Sequence, residues 1–110
     1  MSVPLEITPQ DLHRRVAAGE RLRLIDVREP WEYQTSRLPG AELIPMGGIP
    51  ASLPTLEGGE DPLVVYCHHG VRSLRVASWL REQGIERVQS LAGGIERWSL
   101  EIDPGIPRYT

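Results

Sequence analysis

Leu63-Val64-Val65-Tyr66 is apolar at every position, with no alternation between faces. A strand with one wet face alternates apolar and polar residues, whereas a central parallel strand is covered on both sides and reads as a continuous run. The run ends at Cys67 and is far too short for a membrane span, which needs about 20 apolar residues. Beyond it, Ser73 to Gln83 carries helical spacing, with Val76, Ala77 and Leu80 on one side and Gly84 as the stop. Arg75, Arg81 and Glu82 of that helix are expected to face water. A central strand running into a helix through a short loop already implies a layered α/β fold.

The rest of the chain repeats the pattern. Thr8 is placed as an N-cap with Pro9 at the first helical position, and Ile7 and Leu12 are spaced for a hydrophobic staple. Gly19 ends that helix. Leu22 to Val27 predicts a strand, Trp31 to Gln34 a short helix after Pro30, and Leu38-Pro39-Gly40 a turn. Ala41 to Pro45 is a short apolar stretch, and residues 46–61 read as a proline- and glycine-rich connection with one helical turn near Ala51. Val88 to Leu91 predicts a last strand, Gly93-Gly94 a tight turn, and Ile95 to Trp98 the start of a helix. Strands alternating with helices predict a parallel sheet sandwiched between helices.

At 110 residues the chain is read as one domain over 1–110, large enough for a core without staples. The net charge of −3 removes the footprint expected of a nucleic-acid binder, and no signal peptide or membrane segment is read, so the expected location is cytoplasmic. All 12 basic residues are arginine. The single cysteine can make neither an internal disulfide nor a cysteine-rich metal site.

Ligands of open parallel sheets bind beyond the carboxyl ends of the strands, which is where Cys67 lies. His68-His69-Gly70-Val71-Arg72 follows and a helix begins directly after it. Such a loop can turn its N–H groups inward as an anion-binding nest, with Gly70 giving the freedom a tight ring needs. A thiol inside the ring, near a helix N-terminus and a cation, is favoured as the thiolate. The competing reading of Cys67 is a small buried hydrophobe. His68 and His69 are read as shaping the mouth; adjacent loop residues rarely converge on one ion, and no metal site is expected. With Arg75 they give an expected positive entrance on an acidic chain. Arg72 either meets the substrate or braces the loop through backbone carbonyls. Ser73 is a helix-start residue whose hydroxyl or N–H closes the ring. Trp31, Trp79 and Trp98 are read as core or rim packing.

Three blocks, in this order, make the chain resemble the rhodanese family of sulfurtransferases: Leu24 to Tyr33 running on to Leu38-Pro39-Gly40-Ala41, the loop Cys67 to Ser73, and Leu91-Ala92-Gly93-Gly94-Ile95 with Trp98. The resemblance implies a central five-stranded parallel sheet flanked by helices on both faces, and a cysteine that carries sulfane sulfur as a persulfide. It makes Asp26 a support near the loop, with an ion pair to Arg28 as the alternative. Where the family often has Gly-His, this chain has Ser36-Arg37. The segment from Leu91 to Tyr109 resembles the ends of rhodanese domains fused to adenylating enzymes of molybdopterin synthesis.

The fold also resembles that of dual-specificity phosphatases of the cell-cycle type, whose loop puts five residues between cysteine and arginine. Here four separate Cys67 from Arg72, a smaller ring that suits a sulfur atom better than phosphate. The expected activity is therefore transfer of sulfur from a small anionic donor such as thiosulfate to cyanide in an assay, or to a thiol or sulfur-carrier protein. Cys67 is the nucleophile, His68, His69, Gly70, Val71, Arg72 and Ser73 the substrate loop, and Asp26 and Arg28 its support, with no cofactor. A sulfur-relay or protein-interaction module, serving cofactor biosynthesis or transfer-RNA thiolation, is the alternative.

Overall fold

The computed structural model describes residues 3–110. Five parallel strands form one sheet: β1 (Glu6–Ile7), β2 (Arg23–Asp26), β3 (Glu42–Leu43), β4 (Leu63–Tyr66) and β5 (Val88–Leu91), in the order β1-β5-β4-β2-β3. Five helices connect or follow them: α1 (Pro9–Ala17), α2 (Pro30–Thr35), α3 (Leu53–Glu57), α4 (Val71–Glu82) and α5 (Gly94–Glu101).

β4 lies at the centre, paired with β2 and β5, and all four of its residues are fully buried. Its side chains divide by period two. Leu63, Val65 and Cys67 join a core with Ile25, Val76, Ala77 and Leu80, whereas Val64 and Tyr66 join a second core with Leu12, Leu91, Ile95 and Trp98. The unbroken apolar run is thus apolar because both faces are covered. Ile7 and Leu12 meet in the second core, and Thr8 Oγ1 accepts from the Asp11 N–H at 3.1 Å, as the start of α1 predicts.

Three expectations need correction. Residues 46–61 hold more structure than one turn: 3-10 turns at Met46–Gly48 and Pro50–Ser52 lead into α3, because Ile49 and Leu56 are drawn into the first core. Arg81 is only half-exposed; its guanidinium donates to the carbonyls of Val88 and Pro4, tying α4 to β5 and the start of the chain. Helix α4 begins at Val71, two residues before the expected Ser73, because Gly70 takes a left-handed conformation (φ 102°) and caps it, its carbonyl accepting from Leu74 at 3.0 Å. Arg72 and Ser73 therefore belong to the first helical turn.

Candidate active site

Cys67 follows β4 and is 1% exposed. Two backbone N–H groups point at its sulfur, that of Gly70 at 3.1 Å and that of Ser73 at 3.4 Å. The positive φ of Gly70 makes the first possible: it reverses the chain three residues after the cysteine. A side chain there would be strained by that φ and would bring a Cβ within 3.2 Å of the Gly93 nitrogen. The start of α5 closes in from the other side, where Ile95 N donates to Cys67 O at 2.9 Å and Glu96 N to His68 O at 3.1 Å. A Cβ on Gly94 would fall 2.4 Å from His68 O, so a glycine at this position lets two backbones touch. The Ser73 hydroxyl shares a 2.7 Å hydrogen bond with Ser90 on β5 and reaches Gly70 O at 3.3 Å, fixing the ring to the sheet. Val71 is exposed on the outer side of this turn.

Arg72 meets a partner the sequence did not offer. Its guanidinium forms a two-pronged pair with Glu32 of α2, at 2.7 and 2.9 Å, which matches its charge. Glu32 is buried, and its Oε1 also accepts from the Glu29 N–H at 3.0 Å. Burial pushes the Glu32 carboxyl pKa up, but the bonds from Arg72, Tyr109 and the Glu29 N–H outweigh it and bring it down to about 2. The same pair holds the Arg72 pKa above the usual arginine value.

Below the ring, Asp26 and Arg28 form the ion pair offered as an alternative, both side chains fully buried. Arg28 Nε and Nη2 donate to the two carboxylate oxygens at 2.9 and 2.6 Å, and its own N–H to Oδ1 at 3.0 Å. Nη2 also reaches Ser36 O at 2.6 Å. The bridge thus pins the Ser36-Arg37 turn, where the sequence departs from the family.

The three residues expected to form a positive entrance sit in different surroundings. His68 is only half-buried, but its ring lies between His69, at 4.0 Å, and Tyr109, at 3.9 Å. That burial, with His69 beside it, lowers its pKa against the opposing pull of Glu96 and Glu32, so the ring is neutral at pH 7. Glu96 is paired with Arg108. His69 and Arg75 remain exposed. Among the described residues no three His, Cys, Asp or Glu side chains converge as a metal site.

Two members of this cluster, Glu32 and Tyr109, were not singled out from the sequence. Glu32 stood inside a recognised block, three residues after Glu29, a spacing that signals a helix start and nothing about Arg72. Tyr109 closes the segment that resembles the ends of fused rhodanese domains, but nothing in its neighbours points to the Cys67 loop.

A five-stranded parallel sheet with a cysteine at the carboxyl end of its central strand, ringed by amides, defines a rhodanese-like site. The family model for the rhodanese-like domain matches residues 8–101, and the chain belongs to that family. It is similar to the putative sulfurtransferase YtwF of Bacillus subtilis (strain 168), 38% identical over 90% of this chain and 94% of that one. It is also similar to the Rhodanese-like/PpiC domain-containing protein 12, chloroplastic, of Arabidopsis thaliana, 36% identical over 94% of this chain but only 37% of that protein. The probable adenylyltransferase/sulfurtransferase MoeZ of Mycobacterium tuberculosis is 34% identical over 94% of this chain and 26% of its own length. Among solved structures, a rhodanese-like domain protein from Staphylococcus aureus superimposes with a TM-score of 0.81 at 28% identity, covering 97% of this chain and all of that one. The human single-domain sulfurtransferase TSTD1 gives 0.77 at 27% identity, over 90% and 98% of the two chains. The sulfurtransferases among these relatives support sulfur transfer as the general activity.

Proposed function

We propose that the chain is a sulfurtransferase that works by double displacement through a persulfide on Cys67. The thiolate attacks the outer sulfur of a donor such as thiosulfate. The new S–S bond forms as the donor's own breaks, and sulfite leaves with the electron pair. An acceptor nucleophile (cyanide in an assay, a thiol or a sulfur-carrier protein in the cell) then attacks the outer sulfur and releases the Cys67 thiolate. No redox partner, metal or organic cofactor takes part.

The observation that carries this reading is the pair of N–H groups, from Gly70 and Ser73, aimed at the Cys67 sulfur. They stabilise the Cys67 thiolate, which is the nucleophile of the first half-reaction and the leaving group of the second, without reorganising. The ring formed by four intervening residues favours a single sulfur over a phosphoryl group. A sulfur-relay role draws on the likeness to MoeZ and to the adenylyltransferase and sulfurtransferase MOCS3-2 of Zea mays, in which the matched part is about a quarter of the whole. In that reading the acceptor is a carrier protein, and the working location is the cytoplasm.

The direct test is intact mass after incubation with thiosulfate. One added sulfur, lost to cyanide as thiocyanate and absent from Cys67→Ala, supports the proposal; thiocyanate formation by Cys67→Ala at the wild-type rate would sink it.

A further inference from the structure

The chain continues past α5 as a tail that is tied down in steps. Asp103 N donates to Trp98 O at 3.0 Å, Ser99 Oγ to Ile106 O at 2.6 Å, and Arg108 pairs with Glu96 at 2.6 Å. Ile106 is buried in the second core. Tyr109 is thereby delivered to the Cys67 loop from 42 positions along the chain.

There it makes contacts of two kinds. Its ring stacks on His68 with an interplanar angle of 13°, and meets Trp31 edge-on at 5.6 Å. Its hydroxyl lies between Glu32 Oε2, at 2.5 Å, and Arg28 Nη1, at 2.9 Å. The direction of these bonds is fixed by chemistry. An arginine can only donate and an ionised carboxylate can only accept, so the phenol accepts from Arg28 and gives its one proton to Glu32.

We infer that Tyr109 is a positioning residue for the Cys67 ring, clamping both of its flanks so that the Gly70 and Ser73 N–H groups stay on the sulfur. One flank is His68, directly after Cys67, held by the stack. The other is Arg72, directly before Ser73, held through the Glu32 carboxylate that the phenol orients. Glu32 alone would leave one oxygen with a single partner and its carboxylate able to turn; the Tyr109 proton removes that freedom. The catalytic consequence rests on the sulfur-transfer reading, but the geometric one does not.

The test therefore reads geometry and activity separately, on the full-length protein. Tyr109→Phe keeps the stack on His68 and removes only the hydroxyl; Tyr109→Ala removes both. Amide hydrogen exchange is followed without any sulfur donor, comparing Gly70 and Ser73 with Val64 and Val65 of β4. In Tyr109→Phe the two loop amides exchange about tenfold faster, the scale of losing one bond to a charged group, while the β4 amides hold. Tyr109→Ala moves the loop amides further. With thiosulfate and cyanide, kcat falls in the same order while KM for thiosulfate stays within about twofold, as expected when a transition-state interaction is lost. Unchanged exchange at Gly70 and Ser73 in both variants overturns the inference, as does acceleration of the β4 amides in step with them, or an unchanged kcat in an active protein. If the loop amides respond as expected and the wild type takes no sulfur from thiosulfate, the clamp stands and the sulfur-transfer reading falls.

Discussion

Two arginine–carboxylate pairs flank Cys67, one beneath the ring and one at its rim, and water tells them apart. Asp26–Arg28 joins the last residue of β2 to the residue two positions on, and both side chains are fully buried. Glu32–Arg72 joins two helices 40 residues apart, and the Arg72 side chain remains 32% exposed. Both are two-pronged, which only arginine can supply. A buried pair contributes little net stability while whole, yet is costly to break because the survivor keeps an unpaired charge. An arginine at the rim can turn into water instead. The lower pair therefore acts as frame and the upper one as a latch, with Tyr109 bonded to both.

The comparison breaks most visibly at the frame. Asp26→Asn strands the Arg28 guanidinium in the core and is expected to lower stability by about 3–5 kcal/mol in a denaturant titration. A loss under about 1 kcal/mol would mean that Arg28 finds water or another acceptor, and that the two pairs do not differ in kind.

Glu32→Gln comes next. It should cost about 1–3 kcal/mol, less than the frame, because Arg72 can rehydrate. Sulfur transfer should nonetheless fall about tenfold, as an interaction of roughly 1.4 kcal/mol on the ring is lost. Equal effects of the two substitutions on activity per folded molecule would erase the distinction between frame and latch.

The latch also has a pH signature. The Glu32 pKa is depressed from an ordinary 4.5 to about 2 on folding, so the unfolded chain takes up a proton at higher pH than the folded one. The stability this gives is complete above the unfolded value and is lost as pH falls from about 5 to about 2. Acid titration of stability should accordingly be shallower over that window in Glu32→Gln than in the wild type, and matching slopes would count against an ionised, bonded Glu32.

Why half of this site can be read from the sequence follows from how far its partners sit apart. β4, Cys67, Gly70 and the body of α4 are adjacent in the chain, so apolar periodicity and one glycine suffice to place them. The exact start of α4 was read two residues late because Gly70, not a Ser or Asp side chain, caps it. The Ser73 hydroxyl bonds Ser90 across to β5, Arg72 meets Glu32, and Tyr109 meets Arg28. None of those pairings leaves a local periodicity. The charge of the expected entrance is equally nonlocal: Glu32 and Glu96, which arrive from other helices, bear on His68 and are matched by Arg72 and Arg108.

The smallest expected effect follows from that cancellation. With Arg72 matched by Glu32 and Arg108 by Glu96, long-range steering of a donor anion is weak. kcat/KM for thiosulfate should change by less than about threefold between 0.01 and 1 M ionic strength, although the Debye length drops from about 30 to about 3 Å. Arg75→Ala should likewise change it by under about threefold, as expected for a lone exposed charge. A steep fall with salt would restore the charged entrance and weaken the case for selection by the amide ring.

The sulfur-transfer reading turns on whether the sulfur of Cys67 accepts another sulfur atom. Mass spectrometry of the intact, native protein after exposure to thiosulfate answers this in one step. The expected result is a single added sulfur on wild type and on Arg75→Ala, none on Cys67→Ala, and its removal by cyanide with thiocyanate released in equal amount. A folded wild-type chain that gains no sulfur from thiosulfate, or a Cys67→Ala chain that gains and releases it, would contradict the assignment.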